Sequence, residues 1–213
     1  MQRTHEDKTQ LMPHLWHGRE LGNLEDMLMF LDETGPVHET YNRLTSRLSE
    51  AGLDFVVIGA FSMAVHHFRR ATTDVDLCVR PDDLEKFKSQ FVGSAFQRVE
   101  GRLRRFIDPQ TQVTFDLLVS GMLAGRTSRN TEIKFPDPSE AVIIEGMPTV
   151  SLPRLIELKL VTWRLKDWAD VISLIRANAL TESFAEKLNP LVRMAYLECY
   201  DQMVEEDKYS PEG

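Results

Sequence analysis

The chain has 213 residues, 42% of them hydrophobic and 27% charged, with a formal net charge of −8. That size and balance fit one globular domain, or one domain carrying a small helical appendage, and the acidic excess argues against broad, sequence-independent binding of nucleic acid, which Lys and Arg drive by neutralising phosphates. Two cysteines are too few for a disulfide framework, no apolar run reaches the ~18 residues of a membrane helix, and "MQRTHEDKTQ" lacks the apolar segment of a secretory signal, so a cytoplasmic protein without a membrane partner is expected.

Residues 1–36 read as an N-terminal arm and helix. His14 and His17 lack the further ligands a zinc site needs, and "ELGNLEDMLMFLDETG" sets Leu24, Met27 and Leu31 on one helical face before Gly35 and Pro36. Residues 37–150 carry the core. A helix with Tyr41, Leu44 and Leu48 on one face closes at Gly52. "DFVVIG" is a buried strand ending at Gly59, "AFSMAVHHF" a short helix and "TDVDLCV" the next strand. "PDDLEKFKSQF" starts a helix at Pro81, with Leu84, Phe87 and Phe91 on one face.

"GRLRRFID" and "QVTFDLLVSG" form a strand pair about the "DPQTQ" turn, and further short strands are expected at 131–135, 141–145 and around Thr149. From Ser151 the period turns helical through residue 206, ahead of a short tail over 207–213. The predicted fold class is α/β (α+β): a mixed sheet flanked by helices, then a C-terminal helical segment.

On a strand alternate side chains share a face, so Asp74 and Asp76 point the same way with Cα atoms about 6.6 Å apart. An Asp-x-Asp pair alone is weak, since chance supplies one in a chain of this composition. Its setting strengthens it. Gly59 lies at a strand-to-helix turn, whose free N–H groups suit phosphate, and Asp116 is another acid in a buried strand. If the two strands are neighbours, three carboxylates cluster, repel and call for a divalent cation. Oxygen ligands favour magnesium, and with a phosphate-binding turn they point to phosphoryl or nucleotidyl transfer.

The stretch "VIGAFSMAVHHFRRATTDVDL" resembles the signature of the nucleotidyltransferase superfamily, a strand, a small-residue turn, a helix and then Arg-x-Thr-x-Asp-x-Asp. "TFDLLVSG" resembles its third-carboxylate strand, and "LIELKLVTWRLKDWADV" is similar to a segment of the branch that includes AbiEii-type toxins. The resemblance runs from about Phe55 to Leu174 and implies a nucleotidyltransferase-like sheet. It implies two Mg²⁺ ions held by Asp74, Asp76 and Asp116, with Asp116 a ligand or the group that helps deprotonate the attacking hydroxyl. It further implies ATP or another NTP as co-substrate, held by Gly59, Ala60, Ser62, Arg70, Thr72, Lys159 and Asp170. The implied acceptor is an RNA such as tRNA, a protein or a small molecule, and a cognate antitoxin or toxin is an implied partner.

Two positions depart from the family. Ala60 stands where a second Gly or Ser is usual, and His67 follows His66 where Gly is common. They support an alternative, a binding or regulatory protein that kept the fold and lost the chemistry. A third reading is modification of an aminoglycoside, a cationic acceptor suited to an acidic protein.

Two further expectations concern cations. As one continuous helix, the C-terminal segment would put Lys159, Trp163, Lys166 and Asp170 on one face, with a Lys166–Asp170 salt bridge as the plain outcome. Arg102, Arg104 and Arg105 in "GRLRRF" read either as a phosphate-binding trio or as a solvated strand edge. Cys78 is assigned to packing.

Overall fold

A computed structural model describes residues 34–125 and 132–209 of the chain. The expected helix around Leu24 to Leu31, the two N-terminal histidines and the last residues of the tail lie outside them.

In chain order the elements are α1 (Gly35–Glu50), β1 (Phe55–Val57), α2 (Gly59–Val65), β2 (Asp74–Val79), α3 (Pro81–Phe91), β3 (Gln97–Arg98), β4 (Arg105–Ile107) and β5 (Thr114–Val119). A 3₁₀ turn (Pro138–Glu140), β6 (Val142–Ile144), β7 (Met147–Thr149), α4 (Leu152–Leu160), α5 (Leu165–Ala177), a second 3₁₀ segment (Glu182–Lys187) and α6 (Pro190–Tyr209) follow. This is the mixed α/β sheet followed by helices that the sequence predicts. The two-residue β3 was not anticipated. In place of the strand expected at 131–135, the described residues there form a single bridge, Leu123 with Lys134.

The seven strands are ordered β3-β4-β5-β2-β1-β7-β6. The β2–β5 and β1–β7 pairs are parallel and the others antiparallel. Alternation divides β2 cleanly. Val75, Leu77 and Val79 enter one core, built with Leu44 and Leu48 of α1, Phe87 of α3, and Phe106 and Phe115 of the β4–β5 hairpin. Asp74, Asp76 and Cys78 share the opposite face, where Cys78 is buried beneath the second core of Ile156, Leu160, Val171, Leu174 and Tyr196. The C-terminal helices therefore cover the far end of the acid-bearing face and leave its near end open.

The β4–β5 turn is tied to α1 by a buried carboxylate. Asp108 is fully buried, accepts from Arg43 Nε at 2.8 Å and from the Gln110 N–H at 2.9 Å, and so fixes the hairpin that carries Asp116. No described helix is long and apolar enough to cross a membrane.

Phe87 is fully buried and its ring meets Phe96, Phe106 and Phe115 with centroids 5.8, 5.2 and 6.0 Å away. Phe87→Ala is expected to lower stability by about 3–5 kcal/mol, seen as a fall in urea midpoint at unchanged slope. A loss under about 1 kcal/mol would mean the core refills around the missing ring.

Candidate active site

Sheet order lays five functional positions across four neighbouring strands. Gly59 follows β1, Asp74 and Asp76 lie on β2, Asp116 on β5 and Arg105 on β4. The parallel register sets Asp76 against Asp116 and Asp74 against Thr114, while the antiparallel hairpin sets Arg105 against Asp116. The proviso that the two acid-bearing strands be neighbours is met. Gly59, Asp74, Asp76, Asp116 and Arg105 line one cleft of ≈ 760 Å³, with Arg70, Lys159 and Arg164 on its opposite wall.

Gly59 has φ +68°, and a Cβ there would stand 2.4 Å from Asp76 Oδ2. Glycine is thus required twice, for its backbone conformation and for the approach of the carboxylate. Gly59 and Ala60 line the cleft. Ser62 does not; its side chain is fully buried and its hydroxyl is hydrogen-bonded to that of Thr149 at 2.8 Å. One step into α2 turns it away from the acids, so a phosphate contact through its hydroxyl is corrected. His67 takes φ +66°, the left-handed region that glycine adopts without strain.

Like charges and burial act on the row. Asp76 is pushed up to about 7 by burial first and by Asp74 and Asp116 second, against Lys159 and Arg105. Asp116 is raised by burial, with Arg105 opposing and Asp74 reinforcing. Thr72 Oγ1 donates to Asp74 Oδ1 at 3.0 Å and fixes that carboxylate. Arg105 Nη2 donates to Asp74 Oδ2 and to Thr114 Oγ1, both at 3.0 Å, while Nη1 lies 3.6 Å from Asp116 Oδ2.

The arginine trio is therefore divided: Arg105 enters the acid row, Arg104 donates to Met122 Sδ at 3.2 Å and Arg102 is exposed. The sequence left Arg105 undistinguished from its neighbours. The signal that finds it is register, since pairing about the "DPQTQ" turn puts it opposite Asp116.

The opposite wall corrects the single-helix expectation. The chain breaks between α4 and α5 at Trp163, which has φ +57°. Lys159 and Asp170 thus belong to different helices, and the partners of Asp170 are Lys159 and Arg70 in place of Lys166, which is exposed. Arg70 grips Asp170 with two bonds, Nε to Oδ1 at 2.7 Å and Nη2 to Oδ2 at 3.1 Å, and Lys159 Nζ donates to Asp170 Oδ2 at 2.5 Å. Lys159 also reaches Asp167 at 3.4 Å, which accepts from Thr162 Oγ1 at 2.5 Å and Arg164 Nε at 2.6 Å. Burial alone would raise Asp167, but Thr162, Lys159 and Arg164 hold it below the usual carboxylate range.

The acids supply oxygen donors of the kind Mg²⁺ takes, and burial first, then the neighbouring acids, raises the proton affinity of Asp76. The donor set fits the ion. Even so, among the described residues no three His, Cys, Asp or Glu side chains form a ready-made cage, and the Arg105 guanidinium stands between Asp74 and Asp116.

The chain matches no protein-family model and no curated protein. Among solved structures, it is similar to a crystal structure of ANT(2'')-Ia in complex with adenylyl-2''-tobramycin, at 16% identity and TM-score 0.48, over 76% of this chain and 97% of that one. A solution structure of the antibiotic-resistance factor ANT(2'')-Ia aligns at 16% identity and TM-score 0.41, over 80% and 96%.

The Asp76 shift has a measurable sign. A carboxyl whose folded pKa of about 7 lies above its ordinary 3.8 gives stability that is fully present below the ordinary value and is lost as pH rises through 7. In EDTA, Asp76→Asn is expected to melt above wild type at pH ~8, the gap closing as pH falls toward ~4. A gap that does not vary with pH would mean Asp76 ionises normally.

Proposed function

We propose that this protein is a magnesium-dependent nucleotidyltransferase, moving a nucleotidyl group from an NTP to a hydroxyl-bearing acceptor. The observation that carries the reading is the β2–β5 register, which sets Asp76 beside Asp116 with Asp74 on the same face, at the mouth of a cleft bordered by Gly59. Mg²⁺ held by Asp74, Asp76 and Asp116 would neutralise charge on the triphosphate and on the leaving pyrophosphate.

The chain's own residues supply the rest. Gly59 and Ala60 open α2 and line the cleft, where their backbone N–H groups would offer donors to phosphate oxygens. Thr72 orients Asp74. Asp116, raised above an ordinary carboxylate, is suited to take the proton of the acceptor hydroxyl. The acceptor oxygen then bonds to the α-phosphorus, the bond to the β-phosphate oxygen breaks, and pyrophosphate leaves with the electron pair. Arg70 and Lys159, locked on Asp170, brace the wall that confines the nucleotide. Positioning, with water partly excluded, is the main contribution of the protein.

RNA, protein and small-molecule acceptors all remain within this reading. A second reading, a binding or regulatory protein of the same fold such as one half of a toxin and antitoxin pair, draws support from Arg105, which already pairs with two of the three acids.

The test is incubation with each labelled NTP, Mg²⁺ and, in turn, total RNA, cell protein and an aminoglycoside panel. Label is expected to move to one acceptor class, with Asp76→Ala reducing the rate by about a hundredfold or more. No transfer by wild type, together with capture of a specific protein, would replace this reading with the second.

A further inference from the structure

We propose that Arg105 is the resident counter-ion of the acid row, and that its guanidinium holds the ground a divalent cation must take, so that metal binding requires it to withdraw. The inference rests on the reading of Asp74, Asp76 and Asp116 as metal ligands and adds to it a residue that sets how tightly, and when, the metal enters.

The geometry is specific to this arginine. Its Nη2 is 3.0 Å from Asp74 Oδ2 and its Nη1 3.6 Å from Asp116 Oδ2, so one side chain spans two strands of acids. Arg104, its neighbour, bonds instead to Met122, although it adds nearly the same charge to the region. A guanidinium keeps its proton at any physiological pH, so Arg105 cannot vacate the row by losing charge. It can leave only by moving.

Movement is cheap by the same geometry. The side chains of Arg105, Asp74 and Asp116 are 35%, 31% and 26% exposed, so these pairs are partly screened and each contributes little. The buried ion pairs on the opposite wall are different: Lys159 and Asp170 are 8% and 6% exposed and have no comparable freedom. A divalent ion, with twice the charge and direct coordination, outcompetes one weakly held guanidinium. Its apparent affinity nevertheless falls by what the guanidinium was contributing. Arg105, once released, remains on the cleft wall, where the ligand is an anionic nucleotide.

The plain alternative is a structural staple between β4 and β2. A staple predicts loss of stability on removal and unchanged metal affinity. The experiment is titration of the full chain, free of nucleotide, with Mn²⁺ followed by water-proton relaxation, with thermal melting to verify each variant's fold. Arg105→Ala is expected to bind Mn²⁺ about five- to tenfold tighter than wild type, as loss of two partly exposed ion pairs would give. Arg105→Gln, closer in shape, is expected to tighten binding likewise, while Arg105→Lys and the control Arg104→Ala stay within about twofold of wild type.

Equal or weaker Mn²⁺ binding by Arg105→Ala and Arg105→Gln would overturn the proposal and leave the acids a metal site. Tightening by Arg104→Ala as large as that by Arg105→Ala would also overturn it, assigning the effect to the general field. Absence of saturable binding in wild type and both Arg105 variants, with Asp76→Asn indistinguishable, would remove the metal reading itself and this inference with it.

Discussion

Parallel pairing of β2 with β5 in one register governs the site. Adjacent strands lie about 4.8 Å apart, and residues paired across them on one face stand side by side, so Asp76 faces Asp116 wherever this sheet forms. Two like charges about 5 Å apart at an effective dielectric near 20 repel by about 3 kcal/mol. That is a large part of a domain's net stability. The fold lowers this cost in two ways: burial and the neighbouring acids push Asp76 up to about 7, and Arg105 lies across Asp74 and Asp116.

Why the sheet tolerates such a pairing is answered by its two faces. Val75, Leu77, Phe115 and Leu117 of the same strands are fully buried, and they lock the register from the other side. A one-residue slip of either strand would turn its two side chains of this set onto the open face. Their burial at ~1.5–3 kcal/mol each outweighs the carboxylate repulsion. The acids are thus held together by residues that never touch them.

Much of this was legible in the sequence because it follows from period and spacing. The helix at Tyr41 to Leu48, the buried runs of β1 and β2, Pro81 opening α3 and the hairpin carrying Asp116 all have local signals. Adjacency of β2 and β5 does not, since parallel partners are joined through an intervening helix and hairpin, and only the conditional statement was available. Arg105 was hidden because its role depends on register across a turn. Ser62 was misplaced because the first turn of α2 buries its hydroxyl against Thr149. The helix break at Trp163 escaped because "VTWRLKD" contains neither Gly nor Pro, and the Arg70–Asp170 and Lys159–Asp170 contacts beside it are not encoded in spacing.

Those contacts make the two walls of the cleft mechanically unlike. Left-handed backbone at His67 and Trp163 costs roughly 1–2 kcal/mol per residue. Beside these turns, Arg70 meets buried Asp170, and Lys159 meets both Asp170 and buried Asp167. Leaving one of these buried charges without its partner costs about 3–5 kcal/mol, more than the strain of either turn. Relaxing a turn by moving its cation is therefore uphill, and the wall formed by α4, α5 and the segment before β2 stays in one arrangement. On the other side, the Arg105 pairs are a third exposed and no comparable penalty opposes their rearrangement. Adjustment on binding a charged ligand accordingly falls to the β4 side of the cleft, against a wall that does not yield.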